Sequence, residues 1–225
     1  MKMTIQIKRR TFIGYSLLLI IISVLITVLC YHLFVFNTFS SDVNQTQAFR
    51  EVSDEEVKNS PIKDNKTIIE VMSLGCHYCA ANEDNLAEFA RSLPAGSQFK
   101  AIHITSDDNG LAVYAPLFAT LEEMGIEEKY RDSAYNAIIT RNINLSDGEA
   151  LEAWLTKNNI DVGEYHRVSQ SDAVKNRLNY MAEVTRHYAI RSTPIFIINR
   201  RYVVAQDRDF PAFADRMRQL LSEDK

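Results

Sequence analysis

The sequence predicts an α/β fold on three observations. They are a strand, helix and strand in succession over residues 67–104, a helical interval over about 109–189, and two strands with a closing helix after Pro194. Thr67 to Ser73, TIIEVMS, is a β-rich run between the polar KDNK and Gly75, as expected of a buried strand, and its one charged member is Glu70. After Gly75 the spacing of Leu86, Phe89, Ala90 and Leu93 predicts a helix that stops at Pro94 and Gly96. Gln98 to Ile104, QFKAIHI, alternates and reads as a second strand, completing a βαβ unit with two cysteines at the turn into its helix.

In the helical interval, Leu111, Tyr114, Leu117, Phe118, Leu121 and Met124 form one apolar stripe closed by Gly125. A second helix is expected over Glu127–Arg141. Ser146-Asp-Gly-Glu149 reads as a capping box ahead of Leu151, Trp154 and Leu155. A short helix is expected to start at Asp161, and the steps between Val174, Leu178, Met181, Thr185 and Tyr188 predict the last long one. Ile195–Ile198 and Tyr202–Ala205 then flank a tight Asn199-Arg200-Arg201 connection and predict a hairpin, with a turn not ideal for lack of a glycine. Pro211 belongs in the first turn of a final helix that aligns Phe213, Met217 and Leu220.

Ahead of this domain, Phe12 to Phe36 runs 25 residues without a charge, His32 aside. That is long enough to cross the roughly 30 Å hydrocarbon layer as a helix. Lys2, Lys8, Arg9 and Arg10 precede it, so the positive-inside bias puts the N-terminus in the cytoplasm and residues after 36 across the membrane. A cleaved signal peptide would have a shorter apolar core and a small-x-small site, and none is found. Bulky Leu29 argues against lipidation at Cys30, which reads as a small apolar side chain. The expected organisation is 1–11 cytoplasmic, 12–36 transmembrane anchor, 37–53 polar spacer and 54–225 globular. Beyond the four leading cations the chain has 21 Lys and Arg against 29 Asp and Glu, with no basic cluster, which argues against a nucleic-acid partner.

The chemistry concentrates in Ser73 to Ala80, SLGCHYCA. Zinc needs three or four protein ligands; Cys76 and Cys79 supply two, and His77, His103, His166 and His187 show no ligand-pair spacing, so no metal is expected. A purely structural disulfide between them would close a tiny loop and stabilise little. A redox couple has a direct mechanism. A cysteine at a helix N-terminus faces unpaired amides and the positive end of the dipole, which lower a thiol pKa from about 8.5 into the range of roughly 3.5–7.5. Cys76 is then the nucleophile, Cys79 one turn further in the resolving thiol, and His77 a second cationic influence on the sulfur.

With the cysteine motif after a strand, the helical block, and Thr193-Pro194 ahead of a hairpin 118 positions past Cys76, the chain resembles the DsbA family of periplasmic disulfide oxidoreductases over residues 50–222. The resemblance implies a thioredoxin-like fold in two segments, 54–106 with the cysteine pair and 190–225 with the proline, hairpin and closing helix. An all-helical subdomain is inserted between them at 107–189; the transmembrane helix read from residues 12–36 ahead of the whole is a departure from the family, whose typical members are soluble after signal cleavage. The resemblance also implies a cis Thr193-Pro194 bond lying against the cysteine pair, with Thr193 and Pro194 presenting backbone to an extended substrate and Tyr78 beside them. Glu70, six positions before Cys76, falls where the family has a buried acid that exchanges a proton with the second cysteine. A carboxylate in a central strand is costly unless paired or protonated, so its pKa should be raised.

The implied function is a periplasmic-side, membrane-tethered oxidoreductase without cofactor or metal. It would donate the Cys76–Cys79 disulfide to cysteine-containing unfolded or folding proteins and be reoxidised by a DsbB-like quinone-linked membrane protein. The implied place is the inner membrane, single-pass, with the catalytic domain in the periplasm. The chain departs from the family in having His77 then Tyr78 where proline then histidine is frequent, and Thr193 where strong oxidants have valine. Tyr78 in the second slot resembles the disulfide isomerases and Thr193 the isomerases and reductases, which keeps a disulfide isomerase or reductase open. A non-catalytic metal-binding or holdase domain is the reading from a different class.

Overall fold

The computed structural model describes residues 15, 18–28, 48–106 and 110–223, in two compact units, Met1–Thr46 and Gln47–Lys225. In the first unit residues 18–28 are helical with exposed apolar side chains, and the Thr27 hydroxyl donates to the Ser23 carbonyl at 2.9 Å. The rest of the expected 12–36 anchor, residue 15 apart, and the 1–11 segment lie outside the described residues. Among the described residues no helix is long and apolar enough to cross a membrane.

The second unit begins with β1 (Phe49–Glu51) and α1 (Asp54–Lys58). Then come β2 (Thr67–Met72), α2 (His77–Arg91) and β3 (Gln98–His103). The helical block has a 3₁₀ turn (Leu111–Tyr114), α3 (Ala115–Glu123), α4 (Glu127–Tyr135), a π turn (Asn136–Thr140), α5 (Gly148–Lys157), α6 (Val162–Ser169) and α7 (Asp172–His187). The chain closes with β4 (Ile195–Ile198), β5 (Tyr202–Val204) and α8 (Phe210–Ser222). The sheet order is β1-β5-β4-β2-β3, with β2 and β3 parallel and the other pairs antiparallel.

Alternation along the strands builds a core on each face of the sheet. Ile69, Val71, Ile197 and Val203 join the core shared with the helical block. Ile68, Phe196, Ile198, Tyr202 and Val204 join Leu86 and Phe89 of α2 and Phe213 and Met217 of α8 on the other. The sheet is thus sandwiched; β4 is its middle strand, and β2, beside it and buried at every position, separates β4 from the edge strand β3.

Four local expectations are corrected. The expected spacer stops short of Phe49, since Phe49–Glu51 pair with β5 and a capping box between Ser53 and Glu56 starts α1. The capping box expected at Ser146 does not form. Asn144 Oδ1 takes the Ser146 amide and hydroxyl at 3.1 and 2.7 Å, and Asp147 caps α5 through the Ala150 amide at 3.0 Å. The helix expected over 127–141 is regular only to Tyr135. It then widens, with Arg141 N–H donating to the Asn136 carbonyl at 3.0 Å. The hairpin turn needs no glycine: Asn199 and Arg200 both take positive φ, 51° and 61°, in the twist-matched primed geometry. Asn199 also donates Nδ2 to the Leu220 and Leu221 carbonyls at the end of α8 (3.2 and 2.9 Å), which ties the turn to that helix.

Candidate active site

The site forms where β2 ends and α2 begins. Cys76 is the N-cap of α2, with extended backbone (φ −91°, ψ 111°), and its sulfur accepts the Cys79 amide at 3.1 Å. Cys76 and Cys79 form a disulfide with Cα atoms 5.3 Å apart. One helical turn of offset separates the two sulfurs in accessibility: Cys76 keeps 5% of its surface exposed and Cys79 none. Cys76 is thus the more accessible of the two cysteines. His77 is exposed, and Tyr78 stands 75% exposed beside it.

The turn leading to Cys76 is tied at each residue. Cys76 N–H donates to the Ser73 carbonyl (2.9 Å), Gly75 N–H to Ser73 Oγ (3.0 Å), and Leu74 N–H to His103 Nε2 (3.1 Å). The Ser73 hydroxyl donates to the Leu111 carbonyl at 3.0 Å, which brings the 3₁₀ turn over the loop. There a Cβ on Gly75 would crowd the Tyr114 ring at 3.1 Å and Leu111 at 3.3 Å, so a larger residue would need those side chains to shift.

The Thr193-Pro194 peptide is cis, and both residues are half-buried. Strand register carries them to the site. Ile195 pairs with Val71, so the preceding Pro194 falls at the end of β2 from which the Cys76 turn departs. Thr193 Oγ1 is buried without a partner among the described residues.

Glu70 lies in the middle of β2, between Ala101 of β3 and Phe196 of β4, and is 2% exposed. Burial, reinforced by the charge of Glu83 and opposed by Arg131, pushes its pKa up to about 8. Its Oε1 has no hydrogen-bond partner among the described residues. The carboxyl lines a cleft of about 890 Å³ that also takes in Glu83 of α2, Glu122 of α3, Glu127 and Arg131 of α4, and Arg177 of α7. Arg131 bridges Glu83 (2.7 Å) and Glu127 (2.8 Å through Nε). Tyr135, at the end of α4, buries a hydroxyl that has no partner among the described residues, and its pKa is held above the ordinary phenol value by burial and by the charge of Glu70.

The expected residues fall into one region: Cys76, His77, Tyr78 and Cys79 on one turn, Thr193-Pro194 beside it by register, and Glu70 on the strand that feeds it. The other histidines are elsewhere engaged, His166 with Glu152 and His187 with the Glu56 carbonyl. Among the described residues no group of three or more His, Cys, Asp or Glu is placed to hold a metal ion. Reading the sequence missed Ser73 and His103 as ties of the turn and the Glu83–Arg131–Glu127 bridge. Only the Glu127/Arg131 spacing of one helical turn was a usable signal.

Comparison with known proteins bears on the family and the fold. The model of the DSBA-like thioredoxin domain matches residues 85–218, beginning just after the cysteine pair. The thiol:disulfide interchange protein DsbA of Pseudomonas aeruginosa is 24% identical over 136 residues, 60% of this chain and 64% of that protein. The DsbA of Azotobacter vinelandii is 26% identical over 136 residues, 60% of this chain and 63% of that protein. The match thus spans less than two thirds of the length of these curated relatives. Among solved structures, the disulfide oxidoreductase DsbA from Proteus mirabilis superposes with a TM-score of 0.66 at 14% identity, over 79% of this chain and 96% of that one. DsbA from Xylella fastidiosa gives 0.63 at 14%, over 77% and 92%. At these identities the superpositions show the fold: a thioredoxin-like sheet with helices.

Proposed function

The chain belongs to the DSBA-like thioredoxin domain family, and from that premise we propose that it is a thiol:disulfide oxidoreductase that passes its Cys76–Cys79 disulfide to cysteines of translocated proteins. The observation that carries the reading is the placement of the disulfide at a helix N-terminus. The Cys76 sulfur accepts a backbone amide there, and the partner sulfur is fully buried.

In the first step a substrate thiolate attacks Cys76 Sγ, the S–S bond breaks, and Cys79 leaves with the electron pair. Glu70, largely protonated below about pH 8, supplies the proton that Cys79 needs. A second substrate thiolate then attacks the substrate sulfur of the mixed disulfide and expels Cys76 as a thiolate stabilised by the helix dipole and the Cys79 amide. Substrate has lost two electrons and the protein has gained them. The exposed Tyr78 and the Thr193-Pro194 segment form the surface along which an extended peptide lies, and exposed His77 adds positive charge near the leaving thiolate when protonated.

Reoxidation is assigned to a DsbB-like quinone-linked membrane protein. Residues 12–36 act as an inner-membrane anchor, with the N-terminus cytoplasmic and the catalytic domain periplasmic. Tethering keeps the cysteine pair close to that oxidant.

A second reading, isomerase or reductase, is favoured by Tyr78 and Thr193. A reduction potential measured against glutathione separates the donor from the reductase. The disulfide donor is expected to lie above about −180 mV, the value of protein disulfide isomerase, and to turn over a reduced two-cysteine peptide. A value below about −230 mV, in the thioredoxin direction, gives the reductase instead. Stoichiometric metal binding lost in Cys76→Ser, without turnover of the peptide, overturns both in favour of a metal carrier.

A further inference from the structure

The backbone amide of Leu74 lies past the last paired residue of β2, in a residue with no exposed surface. Its acceptor is a side chain, that of His103 at the end of β3, with Nε2 3.1 Å from Leu74 N. The tautomer follows from the other nitrogen. His103 Nδ1 is 2.8 Å from the Ile104 carbonyl, which can only accept, so Nδ1 carries the hydrogen and Nε2 presents its lone pair to Leu74.

The ring has little freedom to leave that position. His103 has no exposed surface, its own amide donates to Met181 Sδ at 3.2 Å, and its ring lies 5.7 Å from that of Phe118. Leu74 is in turn bonded to the two residues that decide where Cys76 sits. Ser73 receives both the Gly75 and the Cys76 amides, so the four residues 73–76 form one braced turn.

We propose that His103 is a positioning residue for the nucleophile: its Nε2, held as an acceptor, fixes the Leu74 amide and so aligns the Cys76 sulfur with the amides at the start of α2. The inference rests on the reading of Cys76 as the nucleophile. It differs from an ordinary buried histidine in one measurable respect. Removing the acceptor should disturb the sulfur as well as the fold.

The test compares His103→Leu with His103→Gln in the full chain. Leucine removes the acceptor at similar volume. The glutamine amide oxygen can occupy the place of Nε2. In His103→Leu the Cys76 pKa, read from thiolate absorbance, is expected to rise by about one unit, a tenfold change in the thiolate equilibrium. Thiol exchange with glutathione should slow by roughly tenfold or more, since small misplacements of a reacting atom are expensive. In His103→Gln both should stay within about threefold of native. A His103→Leu protein with a lowered melting temperature but native Cys76 pKa and exchange rate overturns the proposal.

Should His103→Leu not fold, ¹⁵N NMR of the native protein decides. An unprotonated Nε2 with coupling to the Leu74 amide supports the assignment, and a hydrogen on Nε2 overturns it. A native Cys76 that titrates as an ordinary thiol overturns the oxidoreductase reading and this inference together. A native Cys76 of low pKa that His103→Leu leaves unchanged overturns this inference alone.

Discussion

In the turn at residues 73–76, Leu74 donates its amide to His103, and Gly75 and Cys76 donate theirs to Ser73. Around Glu70, further back along β2, a carboxyl oxygen and the Tyr135 hydroxyl are buried without partners among the described residues. Buried polar groups are normally hydrogen-bonded because an unmade bond costs about 1–3 kcal/mol. The braced turn follows that rule and fixes a geometry. The cleft breaks it, and the result is a carboxyl that keeps its proton where an ordinary glutamate has lost it. On the function proposed above, the first region would hold a sulfur atom in position and the second would keep a proton available.

The largest effects are expected at the sulfurs. Cys76→Ala should reduce thiol exchange by about 10³-fold or more, since no second nucleophile is exposed on the turn. Cys79→Ala, which keeps the Cys76 thiolate but no partner thiol to release what it captures, should accumulate a Cys76–glutathione mixed disulfide, with one glutathione released, when treated with oxidised glutathione. Mass spectrometry of quenched mixtures distinguishes the two. Equal behaviour of the two variants would remove the asymmetry drawn from 5% against 0% exposure.

The Glu70 side makes a pH prediction with a definite sign. Its folded pKa is about 8 against an ordinary value of 4.5, so between those values the folded protein holds a proton that the unfolded chain has released. Stability contributed by this group is therefore full below about pH 4.5 and falls as pH rises toward about 8, with a limiting slope of roughly 1.4 kcal/mol per pH unit. Glu70→Gln should lose that slope, gaining a few kcal/mol over wild type near pH 8. Urea midpoints at several pH values check it. A wild-type protein whose stability is flat across this window would place Glu70 in a wetter setting than its burial indicates.

Arg131 links the cleft to solvent, with its side chain 12% exposed between Glu83 and Glu127 at 21% and 6%. Arg131→Met leaves two carboxylates without their cation and should destabilise the fold by about 3 kcal/mol, as for other broken buried pairs. It should also raise the Glu70 pKa further, because Arg131 opposes the upward shift. Cys76 exchange at pH 7 should change far less than in His103→Leu if turn and cleft are separate devices.

How much of this was legible in the sequence differs between the two regions. The start of α2 was readable, because a cysteine pair after an apolar strand and before a helical stripe has few other placements. Glu70 was readable as the one charge in TIIEVMS. The ties of the turn were not, since His103 meets Leu74 across 29 residues and alternation alone says only that such a side chain faces inward. The same limit hid β1, three residues whose pairing partners lie in β5, about 150 positions away. At α5 two capping residues stand side by side; Ser146 is engaged by Asn144, and Asp147 is the one that caps the helix. Local pattern located the elements, while contacts between distant segments selected their ends and bracing.

The smallest effect is expected at Tyr135, and it tests the cleft most directly. The residue is 5% exposed and its hydroxyl has no partner among the described residues, so Tyr135→Phe removes an oxygen that the unfolded chain hydrates better than the folded one. Stability near pH 6 should rise by up to about 1 kcal/mol, read from the urea midpoint at unchanged m. Above about pH 8 the balance should change. Glu70 then ionises, while the phenol, its own pKa pushed upward partly by that charge, remains a donor able to stabilise the carboxylate. The gain from Tyr135→Phe should therefore shrink or reverse at pH 9. A loss of more than about 1 kcal/mol at pH 6 would instead mean that the hydroxyl already has a partner in the neutral state. The cleft would then satisfy its polar groups as the turn does.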